Sequence, residues 1–387
     1  MSRLGESVFA RADAKAAWRP SPEQLGGARL SGFIRAAGAA DLDGLQARAS
    51  ADPGWFWSAA ADDIGIAWQR RPTSILDLAG GPARATWWGG GSFNHANAST
   101  EPWAERRPDD EALAWEGEDG EVRRYTWAEL DRAARVAARR LAATGIGTGS
   151  RVGIFLPMLP ETVLAVLALG RLGAIFTPIF SGYAAPAVAA RLEAFAATHL
   201  ITADGFLRRG AVIPLKDVAD AAVALAPTVR RVIVVRRLPA APIELVPERD
   251  TIWDASDGPG PVGEADPIVD AQPPTDPEQP YMVIYTSGTT GRPKGTVHVH
   301  GGFPIKAAQD LAHTFDLRAG DALCWFTDLG WMMGPWAISG SLILGARLVL
   351  YEGTPDHPGP DRLWSIVARH RVTHLGLSPT VIRALSP

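Results

Sequence analysis

Cysteine, lysine and long uncharged apolar runs are all scarce in this sequence of 387 residues. The single cysteine, Cys324, excludes an internal disulfide and any cysteine-cluster metal site. The eight histidines lack metal-ligand spacing, so we expect them to be structural and the chain to hold no metal site of its own. A formal net charge of −4 leaves no basic footprint, which argues against a nucleic-acid partner.

Two apolar stretches are the only candidates for a membrane segment, and neither fits. Residues 152–170 are interrupted by Pro157 and Pro160, and residues 331–346 are too short to span a bilayer. Residues 1–24 lack the apolar core of a secretory signal. We therefore expect a cytoplasmic protein in which both apolar stretches form buried core.

The remaining composition is that of a globular protein, with 47% hydrophobic and 21% charged residues. A chain of this length is expected to form two or more lobes. The first 30 residues show no clear pattern and are predicted to be a loose arm. Tryptophans cluster between residues 55 and 88 and predict packing between lobes. Residues 239–279 are polar and rich in proline, which predicts a linker with at most one short strand.

Strand-like and helix-like segments alternate along most of the chain, which predicts an α/β fold with mainly parallel sheets covered on both faces. Thr126 and Glu129 form a capping box at the start of one helix. Short strands are predicted at 112–115 and 123–125, and further strands at 151–156, 174–179, 199–203, 231–235, 281–286, 321–326, 347–351 and 373–377. Helices are predicted at 160–172, 184–196, 215–226, 304–315, 335–344, 361–370 and 379–385.

A loop rich in hydroxyls and glycines follows the strand at 281–286. Glycines bring backbone N–H groups close to phosphate oxygens, hydroxyls donate hydrogen bonds, and a lysine adds a compact positive charge. This combination predicts that the loop binds a polyphosphate. The residues concerned are Thr286, Ser287, Gly288, Thr289, Thr290, Gly291 and Lys294.

Two other phosphate-binding motifs are excluded by spacing. A Walker A motif has four residues between its two glycines and a lysine directly after the second glycine. Here only two residues separate Gly288 from Gly291, and Lys294 follows Pro293 and not a glycine. The Rossmann spacing of glycines is also absent. An ordinary polar turn is the alternative for any Gly-Ser-Thr loop. The ordered string after a strand, with one of the rare lysines near its end, favours phosphate binding.

The string at residues 285–295 resembles the phosphate-loop signature of the adenylate-forming superfamily, which includes acyl-CoA synthetases, luciferases and peptide-synthetase adenylation domains. Later segments at 327–331, 351–355 and 378–385 resemble acetyl-CoA synthetases in particular. The resemblance implies the large N-terminal domain of these enzymes, with stacked, mostly parallel sheets flanked by helices.

The same resemblance implies a division of the chain into three segments. Residues 1–95 are expected to form an arm and a cap-like region, and residues 96–280 a first α/β lobe with a linker. Residues 281–387 are expected to contain the phosphate loop and the start of a second α/β lobe. We expect the chain to stop before the C-terminal domain, so that this lobe is incomplete.

Arg208 falls where the family places an arginine against the nucleotide of CoA, and a guanidinium suits phosphate because it binds two oxygens at once. A second family arginine is replaced by Ala211, and Arg209 lies beside the first. The alternative is that both arginines are solvated surface residues. Asp356 stands where the family has an asparagine near CoA.

Trp331 falls beside the acyl and pantetheine pocket of the family. The valine and threonine that follow in acetyl-CoA synthetases are replaced here by Met332 and Met333. Methionine is long and adaptable, which predicts a pocket of different shape. Core packing is the alternative for both methionines, and the sequence does not identify the acid.

The resemblance implies ATP-dependent activation of a short-chain carboxylic acid to an acyl-adenylate, followed by transfer to CoA, with ATP, Mg²⁺, the acid and CoA as the small-molecule partners. The family's adenine-binding segment, ribose-binding aspartate and adenylation lysine have no counterpart in the chain. The catalytic residue is therefore unassigned, and the isolated chain is expected to be inactive. Two alternatives stay open: an inactive fragment that serves as a nucleotide-binding or interaction module, and another adenylating enzyme.

Overall fold

The computed structural model describes residues 19–240, 242–253, 274–286 and 293–385. The first part begins with four helices and continues into the first strands. Its elements are α1 Pro22–Gly27, α2 Arg29–Ala36, α3 Leu42–Ala51, α4 Pro53–Ile64, β1 Leu76–Asp77, a 3₁₀ turn Pro82–Arg84, β2 Thr86–Trp87, α5 His95–Arg106, β3 Glu111–Gly117 and β4 Val122–Thr126.

The rest of the described chain alternates between helices and strands. The first group is α6 Trp127–Ala143, β5 Arg151–Phe155, α7 Pro160–Arg171, β6 Ile175–Pro178, α8 Ala185–Phe195, β7 His199–Ala203, β8 Phe206–Arg208, β9 Ala211–Ile213, α9 Leu215–Leu225, β10 Arg231–Val235 and β11 Asp250–Trp253. The second is β12 Pro280–Thr286, β13 Lys294–Val299, α10 Phe303–Gln309, a π-helical turn Asp310–Thr314, β14 Ala322–Trp325, α11 Met333–Ile343, β15 Arg347–Glu352, α12 Arg362–Arg369, β16 His374–Gly376 and α13 Pro379–Leu385. The predicted α/β class is confirmed.

Short polar residues cap three of the helices that the sequence analysis did not predict. Ser21 forms a capping box with Gln24 at α1, and Asp41 and Asp52 cap α3 and α4. The prediction of a loose arm up to residue 30 is wrong for residues 22–30, which lie mostly in α1 and α2. These helices are short and bury few residues each, so they are difficult to recognise from the sequence. Residues 1–18 lie outside the described part.

The larger sheet has seven strands in the order β11-β10-β7-β5-β6-β12-β13. Its strands run parallel, except that β13 is antiparallel to β12. The mainly parallel sheet predicted from the alternation of strands and helices is therefore confirmed. β11 is the short strand expected within the linker, of which residues 254–273 lie outside the described part.

The second sheet has five strands in the order β16-β14-β15-β3-β4. β3 pairs in parallel with β15 although more than two hundred residues separate them in sequence, and β4 pairs antiparallel with β3. Sheet membership therefore does not follow chain order. The three-segment division of the chain stays a prediction.

Two apolar helices form the centre of the packing. Every residue of α7 is buried, and it packs against α5 and α6. α11 is buried from Gly334 to Ile343 and packs against α5 and α10. Both helices lie in the stretches for which a membrane segment was considered and buried core was predicted. No helix among the described residues is long and apolar enough to cross a membrane.

A fully buried pair of histidines joins α5 to the end of β13. His95 Nδ1 lies 3.1 Å from His300 Nδ1, which also accepts the backbone N–H of His95 over 3.3 Å. His300 Nδ1 therefore acts as the acceptor, so His95 carries its proton on Nδ1 and His300 on Nε2. Burial lowers the pKa of His95 well below its usual value and the pKa of His300 to about 3.

We expect the free energy of unfolding to fall as the pH drops below about 6.5, the histidine pKa in an unfolded chain. Both rings stay neutral in the folded state while the unfolded chain takes up protons. Stability is therefore intact above that pH and is lost between it and the depressed pKa values of the folded state. Urea unfolding at several pH values, followed by tryptophan fluorescence, measures this decline.

The variant His300→Asn should flatten the decline by up to about 1.4 kcal/mol per pH unit, because one buried neutral histidine is removed. His374→Asn on β16 is the matched control, because it removes a histidine outside this pair. If the free energy of unfolding declined equally steeply in wild type and His300→Asn, His300 would not be a buried histidine with a depressed pKa.

Candidate functional site

The predicted phosphate loop joins β12 to β13. The antiparallel register places Lys294 directly opposite Thr286, at the end of the hairpin where the loop begins. Ser287, Gly288, Thr289, Thr290 and Gly291 lie outside the described residues.

The position of the hairpin in the larger sheet fixes where this loop emerges. β12 runs parallel to β6, so Thr286 leaves the sheet at the same edge as Ile179, the residue after β6. Parallel α/β sheets bind ligands beyond the carboxyl ends of their strands. The loop therefore starts at the edge of the sheet where a ligand site is expected.

A cavity of about 540 Å³ opens at the carboxyl ends of strands from both large sheets. Such a volume lies within the range of small-molecule sites. The segments after β5 and β6 form one side, and β14, β15 and the segments that follow them form the other. The lining includes Pro157, Met158, Phe180, Ser181, Phe206, Arg208, Trp325, Phe326, Thr327, Asp328, Trp331, Met333, Tyr351, Glu352, Gly353, Ser378, Thr380 and Val381.

The cavity brings together three of the residues singled out from the sequence. Arg208, Trp331 and Met333 all line it. Met332 is 57% exposed and does not belong to the lining. Neither Thr286 nor Lys294 contributes to this cavity, so the hairpin and the cavity are two parts of the candidate site.

Asp356 forms an ion pair with Arg209, the residue next to Arg208 of the cavity lining. Arg209 Nη2 donates to both carboxylate oxygens of Asp356, over 3.0 and 2.8 Å. Arg209 has a positive φ of 53° in the turn between β8 and β9, where Ala211 pairs with Arg208. The turn therefore directs the two adjacent arginines differently: Arg208 lines the cavity and Arg209 binds Asp356.

Two carboxylates that the sequence analysis did not identify hold this turn in place. Glu118 accepts the backbone N–H of Gly210 over 2.7 Å and that of Thr354 over 3.0 Å. Glu352 accepts the backbone N–H of Leu207 over 3.0 Å. The backbone on both sides of Arg208 is therefore fixed to the five-stranded sheet. Both acids are far in sequence from the turn, so no local pattern could have revealed them.

Glu352 also forms a buried ion pair. Arg237 Nε lies 2.6 Å from Glu352 Oε2, and the side chains are 4% and 1% exposed. Burial raises the pKa of Glu352, and Arg237 opposes this shift. The ion pair thus holds Glu352 in the cavity wall, although the removal of both charged groups from water is unfavourable.

Asp328 is the other buried acid of the cavity. Its carboxylate accepts Ser181 Oγ–H over 2.6 Å and the backbone N–H of Gly330 over 2.8 Å. Burial raises the pKa of Asp328 to about 6, although these hydrogen bonds oppose the shift. The sequence analysis quoted the segment 327–331 for its resemblance only and assigned no role to this aspartate.

The described residues contain no group of three or more His, Cys, Asp or Glu side chains placed to hold a metal ion.

We expect Arg237→Met to destabilise the protein by about 3–5 kcal/mol, because it leaves the Glu352 carboxylate buried without its counter-charge. Adding Glu352→Gln to that variant should recover part of the loss. Arg209→Met is the matched control at the same rim: it breaks an ion pair whose arginine is 59% exposed and should cost about 1 kcal/mol or less. Urea unfolding of the four proteins measures these differences, and equal losses in the two single variants would contradict the expected effect of burial.

Two protein-family models match consecutive parts of this chain. The family model described as AMP-binding enzyme matches residues 100–386, and the model of the acetyl-coenzyme A synthetase N-terminus matches residues 43–98. Acetyl-coenzyme A synthetase from Gemmatimonas aurantiaca is 39% identical over 347 residues, which cover 88% of this chain and 52% of that protein. The enzyme of the same name from Deinococcus radiodurans is 37% identical over 369 residues, covering 94% and 54%.

A solved structure, acetoacetyl-CoA synthetase from Streptomyces lividans, superposes with a TM-score of 0.84 and 29% identity, covering 95% of this chain and 56% of the other. The chain thus spans about half the length of the relatives it matches. The resemblance inferred from the phosphate-loop string is confirmed. The chain belongs to the AMP-binding enzyme family, and over most of its own length it is similar to acetyl-coenzyme A synthetases.

Proposed function

We propose that this chain carries the substrate-binding part of an AMP-forming acyl-CoA synthetase that acts in the cytoplasm on a short-chain carboxylic acid. One observation supports the proposal above all others. The β12–β13 hairpin presents its loop at the same edge of the sheet as the cavity lined by Arg208 and Trp331. ATP phosphates at the loop and an acid in the cavity would then lie side by side.

The reaction has two steps. In the first, a carboxylate oxygen of the acid bonds to the α-phosphorus of ATP and pyrophosphate leaves. In the second, the thiol sulfur of CoA bonds to the acyl carbon and AMP leaves. The first step joins two anions, so it needs positive charge and oriented donors around the phosphates.

The loop is proposed to supply those donors. Hydroxyls of Thr286, Ser287, Thr289 and Thr290 and the N–H groups of Gly288 and Gly291 would bind the β- and γ-phosphates, with Lys294 as the cation. Magnesium would arrive with the nucleotide and neutralise the leaving pyrophosphate. No residue of this chain is assigned as the catalytic group for adenylation.

The cavity is proposed to bind the acid and the pantetheine group of CoA, with a phosphate of the CoA nucleotide at Arg208. Arg208 is exposed at the cavity, where its guanidinium would bind a phosphate of the CoA nucleotide. Trp331 and Met333 would contact the acyl and pantetheine groups, and Met332 and Asp356 would lie at the rim.

The second candidate function is a module that binds the nucleotide without catalysis. The observation in its favour is that the chain spans about half the length of the matched relatives. Under this alternative ATP still binds at the loop, but no acyl-adenylate forms. Binding and turnover must therefore be measured separately.

We expect the isolated chain of 387 residues to show no exchange of labelled pyrophosphate into ATP with acetate, propionate or butyrate. The residues proposed here would bind phosphates and acid, but none of them is assigned to the role of the adenylation lysine that the family resemblance implies. Binding of ATP, measured by calorimetry, should persist. Robust acid-dependent exchange would show that this chain alone contains the complete machinery.

We expect Lys294→Ala to weaken ATP binding about 10-fold or more, because a hydrogen bond to a charged phosphate contributes roughly 1.5–3 kcal/mol. Lys306→Ala is the matched control, since this lysine lies on α10 and is paired with Asp310. Its affinity for ATP should equal that of the wild type. An unchanged affinity in Lys294→Ala would remove the phosphate-loop assignment.

A further inference from the structure

The segment that carries Trp331 is clamped to the segment that follows β6. Ser181 Oγ donates to Asp328 Oδ2 over 2.6 Å, and the backbone N–H of Ser181 approaches Oδ1 at 3.4 Å. Oδ1 also accepts the N–H of Gly330 over 2.8 Å. One buried carboxylate thus joins the ends of two strands that belong to different sheets.

The two segments also touch through their backbones. A Cβ atom on Gly330 would overlap the backbone nitrogen and Cα of Phe180, so only glycine permits this approach. The next residue, Trp331, donates its N–H to Asp328 O over 3.2 Å, and its ring lies 5.5 Å from the ring of Phe180. The indole is 53% exposed, so its position is set by this backbone contact and not by burial.

We propose that Asp328 is a positioning residue: its ionised carboxylate clamps residues 328–331 to Phe180 and Ser181 and thereby fixes Trp331 at the cavity, and protonation of the carboxylate loosens the clamp. The inference rests on the proposed function only for what Trp331 would contact. The clamp itself needs no ligand.

The groups around Asp328 explain why its pKa lies near 6. Burial raises the pKa of Asp328 to about 6, while hydrogen bonds from Ser181 and Gly330 and the charge of Arg208 on β8 lower it. The other ionisable groups that line the cavity are Glu352 and Tyr351 on β15. Glu352 is held by Arg237, and the Tyr351 hydroxyl donates to Thr354 O.

Protonation changes the clamp in a defined way. The ionised group accepts hydrogen bonds at both oxygens with a full negative charge, which makes each of them stronger than a neutral bond. When Oδ2 carries a proton, it becomes the donor of this hydrogen bond, and Ser181 Oγ can accept it. The bonds from the two backbone N–H groups to Oδ1 lose their charge assistance, so the hold on Gly330 weakens.

The test follows Trp331 without any ligand. The chain is labelled with 5-fluorotryptophan, and the resonance of Trp331 is assigned by its loss in Trp331→Phe, since the chain has 14 tryptophans. The ¹⁹F chemical shift is then recorded as the pH is lowered from about 8 to about 5. We expect a transition with a midpoint near pH 6, in line with the titration of Asp328.

Two variants decide whether Asp328 causes the transition. Asp328→Asn keeps the shape and the acceptor for Gly330 but has no charge, so its Trp331 resonance should stay at the low-pH position of the wild type throughout. Ser181→Ala removes a hydrogen bond that stabilises the carboxylate, so its midpoint should rise. Asp356→Asn, at the same rim but outside the clamp, should titrate like the wild type.

A Trp331 resonance that does not move in the wild type would overturn the proposal, and so would an unchanged transition in Asp328→Asn. If that variant does not fold, a midpoint that fails to rise in Ser181→Ala has the same consequence. The assay contains no ATP, acid or CoA. A loss of ATP binding in the functional tests therefore leaves this titration untouched, and the two proposals fail separately.

Discussion

The parallel pairing of β12 with β6 is the contact on which the whole candidate site depends. It sends Thr286 out of the sheet at the edge where Phe180 and Ser181 begin the cavity wall. The antiparallel return along β13 then brings Lys294 back to that edge, opposite Thr286. Had β12 run the other way, the loop and the cavity would lie at opposite ends of the sheet. The direction of one strand thus decides whether the loop begins at the same end of the sheet as the cavity.

Buried carboxylates give the cavity its fixed walls. Glu352 and Glu118 anchor the β8–β9 turn to the five-stranded sheet, and Asp328 joins the ends of β6 and β14. A buried acid is stable only if its oxygens are matched by donors, and here each acid accepts bonds from segments distant in sequence. These bonds hold the backbone around Arg208 in place while its side chain stays exposed. A rigid wall with a free guanidinium suits the binding of a ligand, because less ordering is needed when the ligand arrives.

The sequence indicated the elements better than their assembly. Strands β7 and β10 were predicted with the bounds that the structure has, because each is a short, mostly apolar segment. The helices at 22–64 were missed, since each is short and buries at most two residues. Arg208, Trp331 and Met333, which the resemblance singled out, line one cavity, whereas Asp328, Glu118 and Glu352 were not assigned. Their partners Ser181, Leu207 and Gly210 lie from 92 to 147 residues away in sequence, so no local spacing records these contacts.

The sequence by itself determined the α/β class and the family, because strand periodicity and the order of hydroxyls, glycines and lysine at 286–294 are local properties of the chain. Only the tertiary structure decided that β3 joins β15, that Arg208 and Trp331 share one cavity, and that Arg209 binds Asp356 instead. Such choices depend on which distant surfaces bury the most apolar area and satisfy the most buried polar groups together. That balance is a property of the whole fold, which no single stretch of residues contains.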